Sequence, residues 1–219
     1  MNTASLSPAP DSDCSTTDGA VETVKGASVN ADMADRGSVT DHRPMLVGVD
    51  VRPRTDEDLA GCVRALGAVH VADDYPTWWP VDPAGWLSPS GCAAAWVAHD
   101  DVMGSILGHV CVVRGVDDPV VALLAGVSTD RLASVSRLFV SPVARGRGLG
   151  LGTSLLAAVS SWTSAHDFRL MLDVVDVGAP AIRLYERLGW RLVDRRQADW
   201  VTPQGERLPV RIYLAPEGE

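Results

Sequence analysis

The segment Arg145-Gly146-Arg147-Gly148-Leu149-Gly150-Leu151-Gly152-Thr153 constrains this chain more than any other, because it separates an apolar strand-like run, Ala133 to Val140, from an amphipathic helix-like run reaching about Ala165. Four alternating glycines at a helix start make a cradle for an anion. Residues without a Cβ let the backbone approach a phosphate closely, the first helical N–H groups lack an intrahelical acceptor, and the helix dipole places partial positive charge there. Arg145 and Arg147 add planar, permanently charged forks suited to phosphate.

The spacing decides among phosphate-binding turns. A nucleoside-triphosphate loop requires Gly-x-x-x-x-Gly-Lys-Ser/Thr, and the only lysine is Lys25, far upstream. The dinucleotide fingerprint Gly-x-Gly-x-x-Gly fails from every start, its third glycine position being Leu151, Thr153 or Leu155. What remains is Arg145-x-x-Gly148-x-Gly150, preceded by Leu138-Phe139-Val140-Ser141-Pro142. On these residues the chain resembles the GNAT superfamily of N-acetyltransferases, in which this turn holds the pyrophosphate of acetyl-coenzyme A. A second stretch, Gly178-Ala179-Pro180-Ala181-Ile182-Arg183-Leu184-Tyr185-Glu186-Arg187-Leu188-Gly189-Trp190, resembles the family's Asn-x-x-Ala-x-x-Leu-Tyr-x-x-x-Gly-Phe at Ala181, Leu184, Tyr185 and Gly189. The family's Asn is Gly178 here, so that contact is not carried over.

Periodicity and turn residues predict the remaining layout. Residues 1–44 are rich in Ser, Thr, Ala, Asp and Gly and have no Phe, Trp or Tyr, which predicts a disordered tail before a single domain over 45–219. Leu46 to Arg52 reads as a strand, and Thr55 followed by Asp56, Glu57 and Asp58 as a helix start whose buried stripe is Leu59, Cys62, Val63 and Leu66. Tyr75 to Leu87 is too broken by proline for a long helix. Ala93 to His99 and Ser105 to Val113 read as a hairpin, Pro119 to Leu124 as a short helix, and Ala133 to Val140 as the strand before the turn. A helix from Thr153, a strand Phe168 to Val175, a helix opened by Pro180 and closed by Gly189, and two strands, Trp190 to Arg195 and Leu208 to Leu214, complete an α/β (α+β) domain. The expected sheet is mixed and mostly antiparallel, flanked by helices, as in the family.

The resemblance implies a site. Backbone groups of Leu138, Phe139 and Val140 would pair with the pantetheine arm, and Arg145, Gly146, Arg147, Gly148, Leu149, Gly150, Leu151 and Thr153 would hold the pyrophosphate. Tyr185 would protonate the departing thiolate. A protonated alkylamine has a pKa near 10.4, so a base is also needed. Many relatives carry a glutamate near the position of Ser134, which leaves Asp173 and His109 as candidates here. Trp78, Trp79 and Asp82 are candidates for binding the amine, through stacking and charge. Arg137 reads as an outward-facing strand residue, with contact to an acidic substrate group as the alternative.

The expected activity is transfer of an acetyl group from acetyl-CoA to a primary amine, a small molecule or a peptide, by direct attack in a ternary complex. The alternative is a coenzyme A-binding module with weakened catalysis. A net charge of −9 argues against nucleic acid or an anionic membrane as partner. Cys14, Cys62, Cys92 and Cys111 lack metal-site spacing, so no metal is expected. No apolar run long enough for a membrane span and no signal-peptide pattern occur, which makes the cytoplasm the expected compartment. A homodimer is compatible with the resemblance.

Overall fold

The computed structural model describes residues 48–176, 180–202 and 204–217, so the predicted tail and Gly178 lie outside the described residues. Seven strands form one sheet: β1 (Val49–Pro53), β2 (Cys92–Asp100), β3 (Ser105–Arg114), β4 (Leu132–Val140), β5 (Arg169–Val175), β6 (Arg191–Gln197) and β7 (Pro209–Leu214). Their order across the sheet is β1-β2-β3-β4-β5-β7-β6, and only β4 and β5 run parallel. Helices α1 (Leu59–Asp73), α2 (Pro83–Leu87), α3 (Pro119–Ala125), α4 (Leu151–Ala165) and α5 (Pro180–Arg187) connect them. Among the described residues no helix is long and apolar enough to cross a membrane, and no cluster of three or more His, Cys, Asp or Glu is arranged to hold a metal.

The two faces of the sheet follow from side-chain alternation along the strands. Trp96, Ala98, Leu107, Val112, Ala133, Val135 and Leu170 point to one face, where Leu151, Leu155, Leu156 and Val159 of α4 and Tyr185 of α5 cover them. Val97, Ile106 and Phe139 point to the other, under Cys62, Ala65, Leu66 and Val69 of α1 and Leu87 of α2. On that second side α3 adds Val121 and Ala122 over Leu132, Met171 and Ile212. Arg52 on β1 grips Asp58 with two bonds of 2.7 and 2.8 Å, fixing where the chain enters α1 and holding that carboxyl well below its usual range.

Two local departures from a regular sheet build the site. The first is in β4: His109 pairs with Phe139 but Cys111 with Ser136, so two residues of β4, Arg137 and Leu138, stand opposite the single Val110. This bulge places Arg137 at φ 55°, a left-handed conformation unusual for a residue with a Cβ. It also flips the alternation, so that Leu138 and Val140 pack toward α4 while Phe139 packs toward α1. The second is a divergence: β4 and β5 pair only over Leu132–Ser134 and Arg169–Met171. Beyond that point β4 keeps β3 on one side and, among the described residues, has no strand on the other.

Candidate functional site

At the wide end of that divergence the chain leaves β4 and forms the glycine turn. Gly146, Gly148 and Gly150 take φ of 69°, 69° and 60°, while Arg147 and Leu149 between them do not have positive φ. Alternation of the two hands along the backbone turns successive N–H groups toward one concave side, the arrangement that binds anions. A Cβ built on any of these three glycines would meet nothing within 4 Å. They are therefore glycine for the backbone they adopt and for the open space they border, and not to relieve a packing clash. Gly150 caps α4 without a side chain, so the N–H groups of the first turn of α4 remain free to face that space. Gly152 differs: a Cβ there would lie 3.0 Å from Leu184, because α4 starts tight against α5.

The two arginines of the turn do different things. Arg145 donates from Nε to the carbonyl of Val140 at 2.8 Å and from Nη1 to Asp73 at 2.9 Å, tying the turn to the end of α1. Its fork is thus committed to Asp73, in place of the free phosphate fork expected from the sequence. Arg147 is exposed and has no ion-pair partner among the described residues, and the Thr153 hydroxyl is likewise exposed on the first turn of α4. Leu151 is buried in the core, so its side chain is turned away from the open space beside the turn.

Tyr185 is buried on α5, its ring 5.7 Å from that of Trp190 and 6.1 Å from that of Tyr213. Its hydroxyl forms no hydrogen bond among the described residues, yet it is not sealed among the buried unpartnered atoms. Burial raises its pKa far above 10, and the charges of Tyr75 and Asp173 push in the same direction. The phenol therefore keeps its proton throughout the physiological range. Tyr75 is raised to about 12, first by burial, with Arg137 opposing and Asp173 adding. Asp173 projects from β5 past the end of its pairing with β4. Its side chain reaches solvent; the protein packed around it raises its carboxyl, while Arg137 and Arg196 pull it down. Tyr185, Tyr75, Asp173 and Arg137 thus share one electrostatic neighbourhood where the strands part. Tyr75 had no signal of its own in the sequence beyond its place in the proline-rich segment.

His109 has a different office from the one its sequence position suggested. It is fully buried, stacked on Phe139 at 5.6 Å, with Nε2 3.0 Å from Arg54 and Nδ1 3.0 Å from the carbonyl of Arg137. A guanidinium can only donate, so Nε2 accepts and Nδ1 carries the proton and donates to the bulge carbonyl. Both nitrogens are used, and burial brings the pKa down to about 4. The ring is a pin for the bulge and is not placed as a base. The consequence for stability has a definite sign. The unfolded imidazole titrates near 6.5 and the folded one near 4, so between these values the unfolded chain binds more protons and stability falls as pH falls. The loss approaches about 3 kcal/mol by pH 4. Urea unfolding of the protein and of His109→Gln across pH 4 to 7 checks this, since the variant lacks that part of the slope.

The aromatic segment after α1 is packed on itself. Trp79 lies 5.4 Å from His70 of α1, Tyr75 meets Trp86 edge-on at 5.9 Å, and Trp78 meets Trp200 at 5.8 Å. Asp82 accepts the amide of Gly85 at 2.9 Å and so caps α2, which commits the carboxylate expected to meet the amine. Trp200 lines a cavity of about 360 Å³ together with Ser136 and Arg137 of β4 and Asp173 of β5. Trp78 stands beside it through Trp200, and Trp79 and Asp82 are not among its lining residues. Arg137 is not an outward-facing strand residue: its guanidinium lies 3.9 Å over Trp86, and Nε donates to the Trp86 carbonyl at 3.0 Å.

An acetyltransferase (GNAT) family model matches residues 59–190. Among solved structures, Arabidopsis thaliana NAA60 in complex with a bisubstrate analogue has a TM-score of 0.59 at 22% identity, covering 76% of this chain and 96% of that one. A GCN5-related N-acetyltransferase from Kribbella flavida has a TM-score of 0.55 at 22% identity, covering 78% and 99%. The structure of yncA from Salmonella typhimurium, with its cofactor acetyl-CoA, has a TM-score of 0.57 at 18% identity, covering 76% and 92%. At these identities the likeness to solved structures is one of fold. No curated protein gives a significant match.

Proposed function

From the premise that the chain belongs to the acetyltransferase (GNAT) family, we propose that it moves the acetyl group of acetyl-CoA to a primary amine by direct attack in a ternary complex. The observation that carries the reading is the parting of β4 from β5, which leaves one backbone edge of Val135–Val140 unpaired by a strand and ends at the cradle of Gly146, Gly148 and Gly150. The thioester of the bound donor supplies the activated acyl group. The unpaired edge at Leu138, Phe139 and Val140 suits an extended amide-bearing arm lying alongside as a strand would. The amides from Gly146 to Leu151 suit its diphosphate, with Arg147 and the Thr153 hydroxyl beside them.

Tyr185 holds the proton that a departing thiolate needs, since its raised pKa keeps the phenol neutral. Asp173 accepts a proton from the incoming ammonium, directly or through water, and its raised pKa brings its basicity closer to neutral pH. A carboxylate on the neighbouring strand β5 thus stands in for the one that Ser134 lacks, which favours an active enzyme over a binding module. His109 and Arg54 hold the bulge that sets the direction of the unpaired edge.

The test is thiol release from acetyl-CoA with a panel of amines. Amine-dependent release with intersecting double-reciprocal lines is expected, because both substrates must be bound together. Tight coenzyme A binding without amine-dependent release on any amine overturns the proposal. Parallel lines overturn the ternary complex.

A further inference from the structure

We infer that the acceptor is a small amino acid, whose carboxylate is held by the terminal nitrogens of Arg137 while its amine lies toward Asp173. This rests on the acetyltransferase reading and names the substrate class for the same site. The cavity over the sheet face at β4, β5 and β7, about 360 Å³, is of a size for a small molecule. Its two arginines are in different states. Arg196 is paired with Asp118, which also caps α3, and stands 3.6 Å from Asp194. Arg137 has no carboxylate partner among the described residues: its Nε goes to the Trp86 carbonyl, its plane rests on the Trp86 ring, and both terminal nitrogens are left over.

A guanidinium stacked on one face and tethered at Nε has lost most of its rotational freedom, so its remaining donors are oriented before any ligand arrives. Two parallel N–H donors in one plane match a carboxylate. The left-handed backbone at Arg137, held by His109 and Arg54 beneath it, points in the same direction. That conformation is costly for a residue with a Cβ and persists only where its surroundings over-determine it. Asp117, Asp173 and Asp199 line the same cavity and have no ion pair among the described residues, which favours a cationic group there. A guanidinium and carboxylates that line one cavity and are unpaired among the described residues select a molecule that carries both charges close together.

The experiment compares each of a set of free amino acids with its own amide, using acetyl-CoA and the full-length protein. The amide keeps the amine and side chain and removes only the carboxylate charge. The expected kcat/KM for the best free amino acid is at least about 30-fold above that of its amide, in keeping with a lost charge-assisted pair. Arg137→Gln should bring that ratio close to one, a change that a merely structural role for Arg137 would not produce. Equal rates on acid and amide by the unsubstituted protein, or acetylation of peptides or polyamines in preference to free amino acids, overturn the inference and leave the acetyltransferase reading standing. Absence of transfer to any amine overturns both. The ratio measured on the unsubstituted protein decides the matter even if Arg137→Gln does not fold.

Discussion

Gly148→Asp is expected to abolish detectable binding of acetyl-CoA while leaving the fold in place. The two halves of this expectation have separate physical grounds. A Cβ at Gly148 meets nothing within 4 Å, and its φ of 69° lies in the left-handed region that aspartate tolerates better than most residues. Far-ultraviolet circular dichroism should be unchanged and the midpoint of thermal unfolding should move by only a few degrees. The new carboxylate, however, sets a negative charge on the turn whose amides are proposed to hold the diphosphate. A like charge set against a diphosphate costs several kcal/mol, enough to raise Kd by about a thousandfold. Isothermal titration with coenzyme A measures it. Affinity unchanged within threefold would show that the phosphate lies elsewhere.

Tyr185→Phe is expected to lower kcat by about 100-fold with little change in affinity for acetyl-CoA. The hydroxyl has no hydrogen-bond partner among the described residues, so its removal leaves no buried group newly unpaired and should change stability by less than about 1 kcal/mol. The ring keeps its contacts with Trp190 and Tyr213. This separation makes the variant informative. A tyrosine kept only for packing would lose nothing in turnover, whereas a proton donor to the leaving thiolate would lose turnover alone. Single-turnover measurements at saturating acetyl-CoA isolate the step. Full activity of the phenylalanine variant returns Tyr185 to the core.

Much of the local structure of the candidate site was legible in the sequence because its signals are local. The alternation of glycines at 146, 148 and 150 is the chemical requirement for alternating backbone hand, and it can be read wherever it occurs. Helix α4 begins at Leu151, two residues before the expected Thr153, because Gly150 itself is the cap. Pro180 opens α5 and Gly189, at φ 78°, follows its end, each at its expected place. The hairpin of β2 and β3 and the short helix α3 likewise follow from turn residues and caps that act within a few residues.

What was missed depends on groups distant in the chain. Nothing near Arg137 announces a bulge. The residue has a Cβ and no glycine neighbour, and its conformation is imposed by His109 28 residues earlier and by the Trp86 carbonyl 51 residues earlier. His109 read as a candidate base because a lone histidine on a strand carries no mark of its partners. Arg54, 55 residues away, is what occupies its second nitrogen. Asp82 read as a substrate carboxylate and is a helix cap.

The sequence by itself determined the glycine turn, the helix that follows it, the seven strands and the tyrosine helix, since backbone hand, capping and side-chain period are properties of short stretches. Only the tertiary structure decided where β4 parts from β5, which of its side chains face α1, and that Asp173, Tyr75 and Arg137 share one electrostatic neighbourhood. Those are outcomes of strand pairing and packing between residues far apart in the chain, and a one-residue bulge is enough to exchange the two faces of a strand.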